Sequence, residues 1–511
     1  MRVKIREVAQ GALLAEFPGA SEDSANRAAV LAARLLAGRP GLYDAIPGAR
    51  TLFLVCGFEL DRAALARDLE KAADTGDPKP GRAVRVPVRY GGEGALDLAE
   101  LARGLGISPE EFARRHAAAS YRVAFLGFAP GFAYCIGLPE ELAAPRLPTP
   151  RTRVPAGSLA IGGPYTGVYP AETPGGWRLI GRSAVRLFDP TADAPTLLLP
   201  GDTVVFESIG GQGPVLQSPA SARRERDSAG EPDPPGEPLF RIHNPGLFTS
   251  LQGAPRHGRG AFGVPAGGAM DPEALAAGND LVGNASGAVA LEMTLAGPEL
   301  EVLADCRAAF AGAAMAAEWN AVAVDFARPF DLRRGDRLRV TRATSGVRAY
   351  LCVAGGLVIP PAQWVTRRLA RGDVLHRADT RWSSLAGTTS GSACADGIVR
   401  VVLGPQEDRF DEREIAAFLG QAWRVSASSD RRGVRLEGEP IRHAGSAEIA
   451  PEGTALGSIQ VPPDGQPIVL GPDRPVTGGY AKIATVVAAD WPLVAQGSPG
   501  AVLRFCVARP A

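Results

Sequence analysis

One lysine near the end of the chain is the first residue whose type suggests chemistry. Lys482 lies in the stretch 473–491, DRPVTGGYAKIATVVAADW, and the only other lysines precede residue 81, whereas all remaining members of the 55 basic residues are arginine. A compact ammonium can sit against a single oxygen and lose its proton when desolvated, which a planar guanidinium cannot do. We therefore expect Lys482 to be a catalytic residue at a junction between a turn and a strand, with Asp490 as its counter-charge.

A segment rich in aromatic residues and glycine is a second candidate. Residues 127–132 read GFAPGF, so that aromatic rings stand beside a backbone that a ligand can approach closely. This pattern predicts a binding wall. The alternative is an internal turn packed around Phe125, Phe128 and Phe132.

Several arginines follow among tight turns, in the segment PTPRTRVPAGSLAIGGPYTGVYPAETPGGWRLIGR. Guanidinium groups suit carboxylate or phosphate oxygens, because they offer two parallel donors. Arg151 and Arg153 are therefore candidate substrate-binding residues, and a solvated surface position is the alternative for each.

The pattern of apolar residues predicts a mainly β protein with an α+β part at the N-terminus. A helix is expected over 21–38 with Ser21 as its N-cap, a strand follows at RTLFLVCGF, and a second helix is expected around 61–73, an alternation typical of a small α+β unit. Beyond residue 120, short apolar alternations broken by Gly and Pro are typical of closed or sandwiched β structure. One helical interlude is expected near 272–281.

The length of the chain predicts more than one domain, because a single core does not grow to this size. Residues 210–238 combine Gly, Pro, Ser and clustered charge without apolar periodicity, which predicts a linker. The expected units are a small α+β domain at 1–80, a β-barrel domain at 81–209, the linker, and a second half at 239–511 with one or more barrels.

Two short motifs suggest an internal repeat. PYTGVY at 164–169 and PVTGGY at 475–480 share the pattern P-x-T-G-x-Y, and each follows a Gly-Ser pair. Two related barrels would explain the shared motif. Chance recurrence of turn residues is the alternative, in a chain with 62 glycines and 44 prolines.

The composition argues against several classes of function. Equal counts of acidic and basic residues give no electrostatic footprint for nucleic acid or an anionic membrane, so a small-molecule substrate is expected. No signal peptide and no apolar run long enough to span a bilayer is visible, and a cytoplasmic location is expected. The scattered histidines and cysteines predict no metal site, and no lysine follows a glycine as in a Walker A loop.

Longer motifs carry a resemblance to a known family. In the first half YGGE, YRVAFLGFAPGFAY, TPRTRVPAGSLAIGG, TGVYP and TPGGWRLIGR resemble the KipI family, also called the B subunit of 5-oxoprolinase or allophanate hydrolase subunit 1. In the second half GVPAGGAMD, NDLVGN, LEMTLAGPELE, GPQEDRF, SIQVPPDGQPIVL and TGGYAKIATVVAADWPLVAQGSPG resemble the KipA family, the C subunit of 5-oxoprolinase. The chain therefore resembles a natural fusion of the B and C subunits.

The resemblance implies cyclophilin-like β-barrels in both halves, with a cleft where the halves meet. It also implies an ATP-dependent opening of 5-oxoproline to L-glutamate, carried out with a separate A subunit of the LamB/YcsF type. ATP, with or without Mg²⁺, is the implied cofactor, no covalent biotin is expected on this chain, and a homo-oligomer is left open. His116, just ahead of the GFAPGF motif, is the implied proton carrier, with a buried core histidine as the alternative. The motifs further imply substrate contacts at Thr166, Tyr169, Arg256, Asp271, Asn279, Gln460, Thr477 and Tyr480.

The chain departs from the family pattern at three places. KipA relatives usually have an acid where Gly253 stands and a Gly-Ser-Arg-Ser-Thr segment after VAGGL, and KipI relatives commonly have Gln where Tyr165 stands. Two alternative functions follow from the resemblance. One is a biotin-dependent carboxyltransferase component of the urea carboxylase and allophanate type, and the other is a non-catalytic regulator of a histidine kinase.

Overall fold

The computed structural model describes residues 2–57, 59–75, 81–192, 194–210, 236–324, 326, 328–360, 363–378 and 397–508. The chain is mainly β, with a small α+β sheet at the N-terminus and two closed seven-stranded barrels, which confirms the fold class expected from the sequence. In the ranges just given, no helix is long and apolar enough to cross a membrane. The predicted linker lies almost entirely outside these ranges.

The N-terminal domain is a four-stranded antiparallel sheet with two helices. Its elements are β1 (Lys4–Ala9), β2 (Ala12–Glu16), α1 (Glu22–Leu35), β3 (Leu42–Pro47), β4 (Thr51–Cys56) and α2 (Arg62–Asp74). The strand order β1-β2-β4-β3 makes two hairpins, each followed by a helix, where a simple alternation of strand and helix was expected. Ser21 caps α1 as predicted, because its hydroxyl accepts a hydrogen bond from the backbone of Ser24.

The first barrel closes around a core of aliphatic and aromatic side chains. Its strands are β5 (Ala83–Tyr90), β6 (Tyr121–Leu126), β7 (Ala133–Ile136), β9 (Ser158–Gly162), β10 (Tyr165–Val168), β12 (Arg178–Arg182) and β13 (Thr203–Ser208). Two helices, α3 (Leu98–Gly104) and α4 (Pro109–Ala118), follow β5. A two-stranded sheet of β8 (Arg151–Val154) and β11 (Thr173–Gly175) projects from the barrel, and we call it the first arm.

The second half begins with two sheets of six and five strands that share one core. Their strands are β14 (Pro238–Asn244), β15 (Phe248–Gln252), β16 (Ala290–Thr294), β17 (Glu299–Val302), β18 (Cys306–Gly312), β19 (Met315–Trp319), β20 (Val322–Ala323), β21 (Pro329–Leu332), β22 (Arg337–Ala343), β23 (Arg348–Val353) and β24 (Val374–His376). The predicted helical interlude is α5 (Pro272–Leu281), which packs on β18 and β23.

The second barrel has the same strand connectivity as the first. Its strands are β25 (Ile398–Leu403), β26 (Trp423–Val425), β27 (Gly433–Glu437), β29 (Ser458–Gln460), β30 (Ile468–Leu470), β32 (Lys482–Val486) and β33 (Val502–Val507). Helices α6 (Glu412–Gly420) and α7 (Trp491–Ala495) accompany it, and β28 (Glu448–Gly453) pairs with β31 (Thr477–Tyr480) to form the second arm. In both barrels the first and last strands pair in parallel and all other pairings are antiparallel.

The shared connectivity supports two related barrels, but the motif that suggested them is not the equivalent segment. PYTGVY contributes β10, a strand of the first barrel, whereas PVTGGY contributes β31, a strand of the second arm. The counterpart of β31 in the first half is β11, within TPGGW. The P-x-T-G-x-Y match is therefore a coincidence of turn residues within a genuine repeat.

The N-terminal domain packs against the second barrel. An apolar cluster joins them, made by Ala12, Leu14, Ile46, Phe53, Ala455 and Val476. Polar contacts join the same domain to the loop after β15, since Asp44 accepts hydrogen bonds from the backbone N–H groups of Gly258 at 3.0 Å and Gly260 at 2.9 Å. The N-terminal domain is therefore held to the second half by contacts between residues more than two hundred positions apart.

The GFAPGF turn of the first barrel lies against the second arm. A β-carbon placed on Gly127 would lie 1.6 Å from Oγ1 of Thr477, so the close approach requires glycine. We expect Gly127→Ala to lower stability by about 1–3 kcal/mol, as overpacked contacts do. Thermal unfolding of the single variant and of Gly127→Ala with Thr477→Gly tests this, because the second change removes the clashing side chain. Unchanged stability of the single variant would contradict the contact.

Candidate active site

Lys482 is a buried residue at the start of β32, and its side chain is only 3% exposed. Its Nζ lies 2.7 Å from Oε1 of Glu452 on the second arm. The two groups form an ion pair, and no side chain or backbone group within the described residues makes an aligned hydrogen bond with Nζ. A buried ammonium with unused donors is costly unless a ligand or partner completes its contacts.

A glutamine fixes the position of this pair. Gln406 donates from Nε2 to Oε1 of Glu452 at 2.8 Å, and its own Oε1 accepts from the backbone N–H of Lys482 at 3.3 Å. Gln406 also donates its backbone N–H to the carbonyl of Lys482. The amine and the carboxylate are therefore held beside each other by a third side chain.

The expectation that Asp490 balances the charge of Lys482 is wrong. Asp490 is buried and accepts three hydrogen bonds from Arg400, from the backbone N–H at 2.7 Å, Nε at 2.9 Å and Nη2 at 2.6 Å. These bonds hold the pKa of the Asp490 carboxyl below its usual value. The cause is the turn after β32, which takes Asp490 to the β25 side of the barrel. Glu452 supplies the counter-charge instead.

Comparison of equivalent positions in the two barrels shows that Lys482 replaces an apolar core residue. In the second barrel Lys482 pairs with Gln460, one step beyond a shift in the strand register. In the first barrel the same shift occurs at the same place, and the paired residues are Leu179 and Ala160, both buried. One copy of the barrel therefore carries two apolar residues where the other carries an amine and an amide. Such a polar replacement inside a core indicates function, because it lowers the stability gained from burial.

Three of the predicted substrate contacts lie beside this pair. Gln460 is the strand neighbour of Lys482, and a β-carbon on Gly478 would lie 2.5 Å from its Nε2. Thr477 is 1% exposed and its hydroxyl has no hydrogen-bond partner within the described residues. Tyr480 ends the same strand and contacts Arg146 of the first half. Their expected role as substrate contacts stays a prediction. The fold places Gln460 on the strand paired with that of Lys482, and Thr477 and Tyr480 on β31, the strand that precedes Lys482 in the chain.

The N-terminal domain covers the carboxylate side of the pair. The backbone N–H of Ala49 donates to the carbonyl of Pro451 at 2.7 Å. A β-carbon on Gly48 would lie 2.9 Å from the Cα of Glu452, so the two backbones are in direct contact. The N-terminal domain thus lies against the backbone of the arm residue that pairs with Lys482.

His116 lies deep inside the first barrel and is fully buried. Its Nδ1 is 2.8 Å from the hydroxyl of Tyr90, and its Nε2 is 3.0 Å from Oγ1 of Thr166. Burial lowers the pKa of the imidazole to about 3. The ring is therefore neutral and doubly hydrogen-bonded. These contacts fit the core-histidine alternative as closely as they fit a proton carrier.

We expect the His116 imidazole not to titrate between pH 8 and pH 5. The imidazole binds a proton near pH 6.5 in the unfolded chain but only near pH 3 in the folded chain. This residue therefore lowers the free energy of unfolding as the pH falls from about 6.5 towards 3. NMR of ¹³C-labelled histidine, assigned with His116→Asn, measures the titration. The same signal in urea-unfolded protein is the control. A midpoint near 6.5 in the folded protein would show that the imidazole is accessible.

Tyr169 belongs to an aromatic cluster around the GFAPGF turn. Its ring contacts Phe128 and Phe132 edge-to-face, at centroid distances of 5.9 and 5.2 Å. Phe132 and Tyr169 are almost completely buried, whereas Phe128 is half-buried with a backbone φ of 64°. The packed-turn alternative accounts for Phe125 and Phe132. Phe128, whose backbone is strained, packs at the edge of the cluster and is partly exposed.

The two predicted arginines of the first arm already have carboxylate partners. Arg151 donates to Asp97 at 2.8 Å, and Asp97 is buried. Arg153 has a side chain that is 75% exposed and pairs with Glu172 at 2.7 Å. Neither contacts the Lys482 pair in this structure, and Arg153 matches the surface alternative.

Arg256, unlike the two arginines of the first arm, has no carboxylate in an ion pair with it within the described residues. It donates to the backbone carbonyls of Gln363 at 2.6 Å and Trp364 at 3.4 Å, and it forms no ion pair within the described ranges. Its neighbour Arg259 lies 3.7 Å above the Trp364 ring and has one nitrogen, Nη1, without a partner among described residues. Asp473 lies near enough to favour the charged form of Arg256 without forming an ion pair, so both guanidinium groups keep donors suited to an anionic ligand.

Asp271 and Asn279 support α5. Asp271 accepts from the backbone of Ala274 at the helix start and from Gln496 at 2.7 Å, and burial raises the pKa of its carboxyl. Asn279 donates to the carbonyls of Ser286 and Ala288. The hydrogen bonds of both side chains are explained by a structural role in holding α5 in place.

Sequence reasoning missed Glu452 and Gln406, the residues in contact with Lys482. They lie thirty and seventy-six positions away along the chain. Glu452 lies outside the motifs quoted above, and Gln406 lies within GPQEDRF, where no role was assigned to it. Two signals were available: the GPQEDRF motif around Gln406, and the position of Glu452 shortly before the Gly-Ser pair at 457–458. Among the described residues, no group of three or more His, Cys, Asp or Glu side chains is arranged to hold a metal ion.

Comparison with known proteins gives the class of the chain. Residues 3–198 match the family model described as carboxyltransferase domain, subdomain C and D, and residues 262–507 match subdomain A and B. The crystal structure of TTHA0988 superimposes with a TM-score of 0.83 at 35% identity, covering 98% of this chain and 100% of that chain. The chain is therefore a fusion of two carboxyltransferase-domain units.

Curated relatives narrow the family further. The B subunit of 5-oxoprolinase from Escherichia coli O157:H7 is 43% identical over 34% of this chain and 81% of its own length. The C subunit of 5-oxoprolinase from Escherichia coli K12 is 33% identical over 52% of this chain and 90% of its own length. The urea amidolyase of Lachancea kluyveri is 29% identical over 52% of this chain but only 17% of its own length. The chain belongs to the carboxyltransferase-domain family that includes the B and C subunits of 5-oxoprolinase.

Proposed function

We propose that this chain is the fused B and C component of an ATP-dependent 5-oxoprolinase and opens 5-oxoproline to L-glutamate with a separate A subunit. The named relatives cover both halves of the chain at 43% and 33% identity, which supports an enzyme component that works with other subunits. The observation that carries the proposal is the buried Lys482 amine, which has unused donors at the contact between the N-terminal domain and the second half.

A lactam needs activation because its carbonyl is a poor electrophile. Transfer of the γ-phosphoryl group of ATP to the lactam oxygen would release ADP and activate the ring carbon. Attack of one water there would break the ring C–N bond, free the amino group and leave an acyl phosphate. A second water then releases phosphate, so each turnover consumes two waters and yields glutamate, ADP and phosphate. Lys482 stabilises the negative charge that develops on the oxygen, as preorganised donors in dry sites do. Gln460 is placed to donate a second hydrogen bond from the adjacent strand.

The chain also offers residues suited to phosphate. Arg256, Arg259 and Arg474 form no ion pair with a carboxylate within the described ranges, and the three lie in neighbouring loops. Burial lowers the pKa of Arg474 to about 10, so it stays charged at neutral pH. These guanidinium groups would hold the phosphates of ATP and supply positive charge for phosphoryl transfer.

Reconstitution with an A subunit tests the proposal. Mixing the purified chain with an A subunit of the LamB/YcsF type, ATP, Mg²⁺ and 5-oxoproline should release glutamate and ADP in equal amounts. Omission of any one component is the control. ADP without glutamate, or no product above the omission controls, would overturn the proposal.

The urea amidolyase match and the carboxyltransferase description favour a second candidate. In that case the chain would move a carboxyl group from carboxybiotin on a separate carrier protein to an amide nitrogen. Incubation with a ¹⁴C-carboxybiotin carrier and urea separates the two candidates. Label appearing in the acceptor would support carboxyl transfer, and label retained on biotin while 5-oxoproline is hydrolysed would reject it.

A further inference from the structure

The Lys482 and Glu452 side chains form a buried pair without net charge, and this limits what can bind there. Their side chains are 3% and 9% exposed. An isolated anion would meet the Glu452 carboxylate as well as the ammonium, so the two electrostatic effects oppose each other. A neutral ligand that offers one acceptor and one donor meets no such opposition.

The hydrogen-bond inventory of the pair matches such a ligand. Nζ of Lys482 has no aligned acceptor among the described residues. On Glu452, Oε1 accepts from Gln406, whereas Oε2 accepts no hydrogen bond within the same ranges. The ion pair therefore leaves Nζ with donors that reach no aligned acceptor, beside a carboxylate oxygen that accepts no other hydrogen bond within the described residues.

We propose that Lys482 and Glu452 together bind the cis-amide edge of a lactam or urea-type group, with Nζ donating to the carbonyl oxygen and the carboxylate accepting from the neighbouring N–H. This rests on the proposed function, because it identifies the part of the lactam that the enzyme recognises. In a ring lactam or a urea, the C=O and an N–H lie on the same side, whereas the trans peptide bond of a protein chain points them in opposite directions. The pair thus selects against ordinary peptides.

Neighbouring residues give the pair its rigidity. Gln406 contacts both members and acts as a positioning residue, since it touches the pair and not the proposed ligand. Gly478 presents bare backbone toward Gln460, and the unpartnered hydroxyl of Thr477 lies on the same strand. Because Nζ is covered in the structure, ligand entry requires the second arm to shift from the contact made by Gly48.

Calorimetric titration of the full chain with small probes tests the inference. Wild type should bind 2-pyrrolidinone and should bind N-methyl-2-pyrrolidinone at least about tenfold more weakly, because methylation leaves the buried acceptor unpaired. Lys482→Met with Glu452→Met removes both charges at similar volume and should abolish this discrimination. The matched control is Arg333→Ala with Asp305→Ala, an exposed ion pair at 2.9 Å, which should retain it.

Three outcomes would overturn the inference. They are equal affinity of wild type for the two probes, undetectable binding of 2-pyrrolidinone at millimolar concentration, and discrimination that survives in the double methionine variant. Glutamate release separates this result from the proposed function. A chain that discriminates the probes but yields no glutamate with its A subunit supports the inference and rejects the proposed activity. Normal glutamate release by the double variant rejects the inference and the catalytic role of Lys482, and leaves the 5-oxoprolinase activity itself standing.

Discussion

Replacing Lys482 with methionine is expected to lower glutamate release by a factor on the order of 10² to 10³. This is the loss that follows removal of one preorganised donor to a developing oxyanion, about 2.7–4 kcal/mol. The expectation is large because Nζ is buried and its donors have no competing aligned acceptor in the described structure. The measurement is the steady-state rate of the reconstituted enzyme at saturating 5-oxoproline and ATP.

A folding defect must be separated from a catalytic one. Methionine at position 482 leaves Glu452 buried without a counter-charge, which is itself destabilising. Lys482→Met combined with Glu452→Gln removes both charges and should fold with near-normal thermal stability. Its rate should stay as low as that of the single variant. Recovery of wild-type turnover in this double variant would remove the amine from the mechanism.

Replacing Arg431 with methionine is expected to cause the largest loss of stability, about 3–5 kcal/mol. Arg431 is buried and contacts Glu292 at 2.5 Å and Asp473 at 2.8 Å, and Glu292 is completely buried. It also donates to the carbonyl of Gly268 at 2.6 Å, which joins the second barrel to the loop before α5. Removing it leaves two carboxylates without their cation. Chemical denaturation followed by tryptophan fluorescence measures the effect.

Arg333→Met provides the matched comparison for that experiment. Its side chain is 70% exposed and pairs with Asp305, so the same chemical change should cost less than about 1 kcal/mol. Equal losses in the two variants would contradict a structural role for the buried pair.

Much of the fold was predictable because it depends on local pattern. The N-cap at Ser21 and the helix at 272–281 follow from residues adjacent in sequence, and both are observed. The alternation of apolar residues broken by Gly and Pro indicated closed β structure, which the two barrels confirm. The hairpin order of the N-terminal sheet was not predictable in this way, because strand pairing depends on contacts that periodicity does not encode.

The site was predictable only in part, for the same physical reason. Lys482 could be singled out because its residue type is rare in this chain. Its partners Glu452 and Gln406 come from segments distant in sequence, and the residue type of a glutamate or a glutamine does not indicate which side chain it will contact. Asp490 was chosen by its closeness in sequence, yet a turn directs it to Arg400. Arg153 shows that composition alone does not distinguish a ligand contact from a surface ion pair.

The most direct test of the account is the rate of glutamate release by the Lys482→Arg variant with the A subunit. Arginine keeps the positive charge beside Glu452 but replaces the compact amine by a wider planar group. The account predicts a rate at least about a hundredfold below wild type in a protein of similar thermal stability. Turnover at the wild-type rate would show that any cation suffices at this position and would contradict the role assigned to the lysine amine.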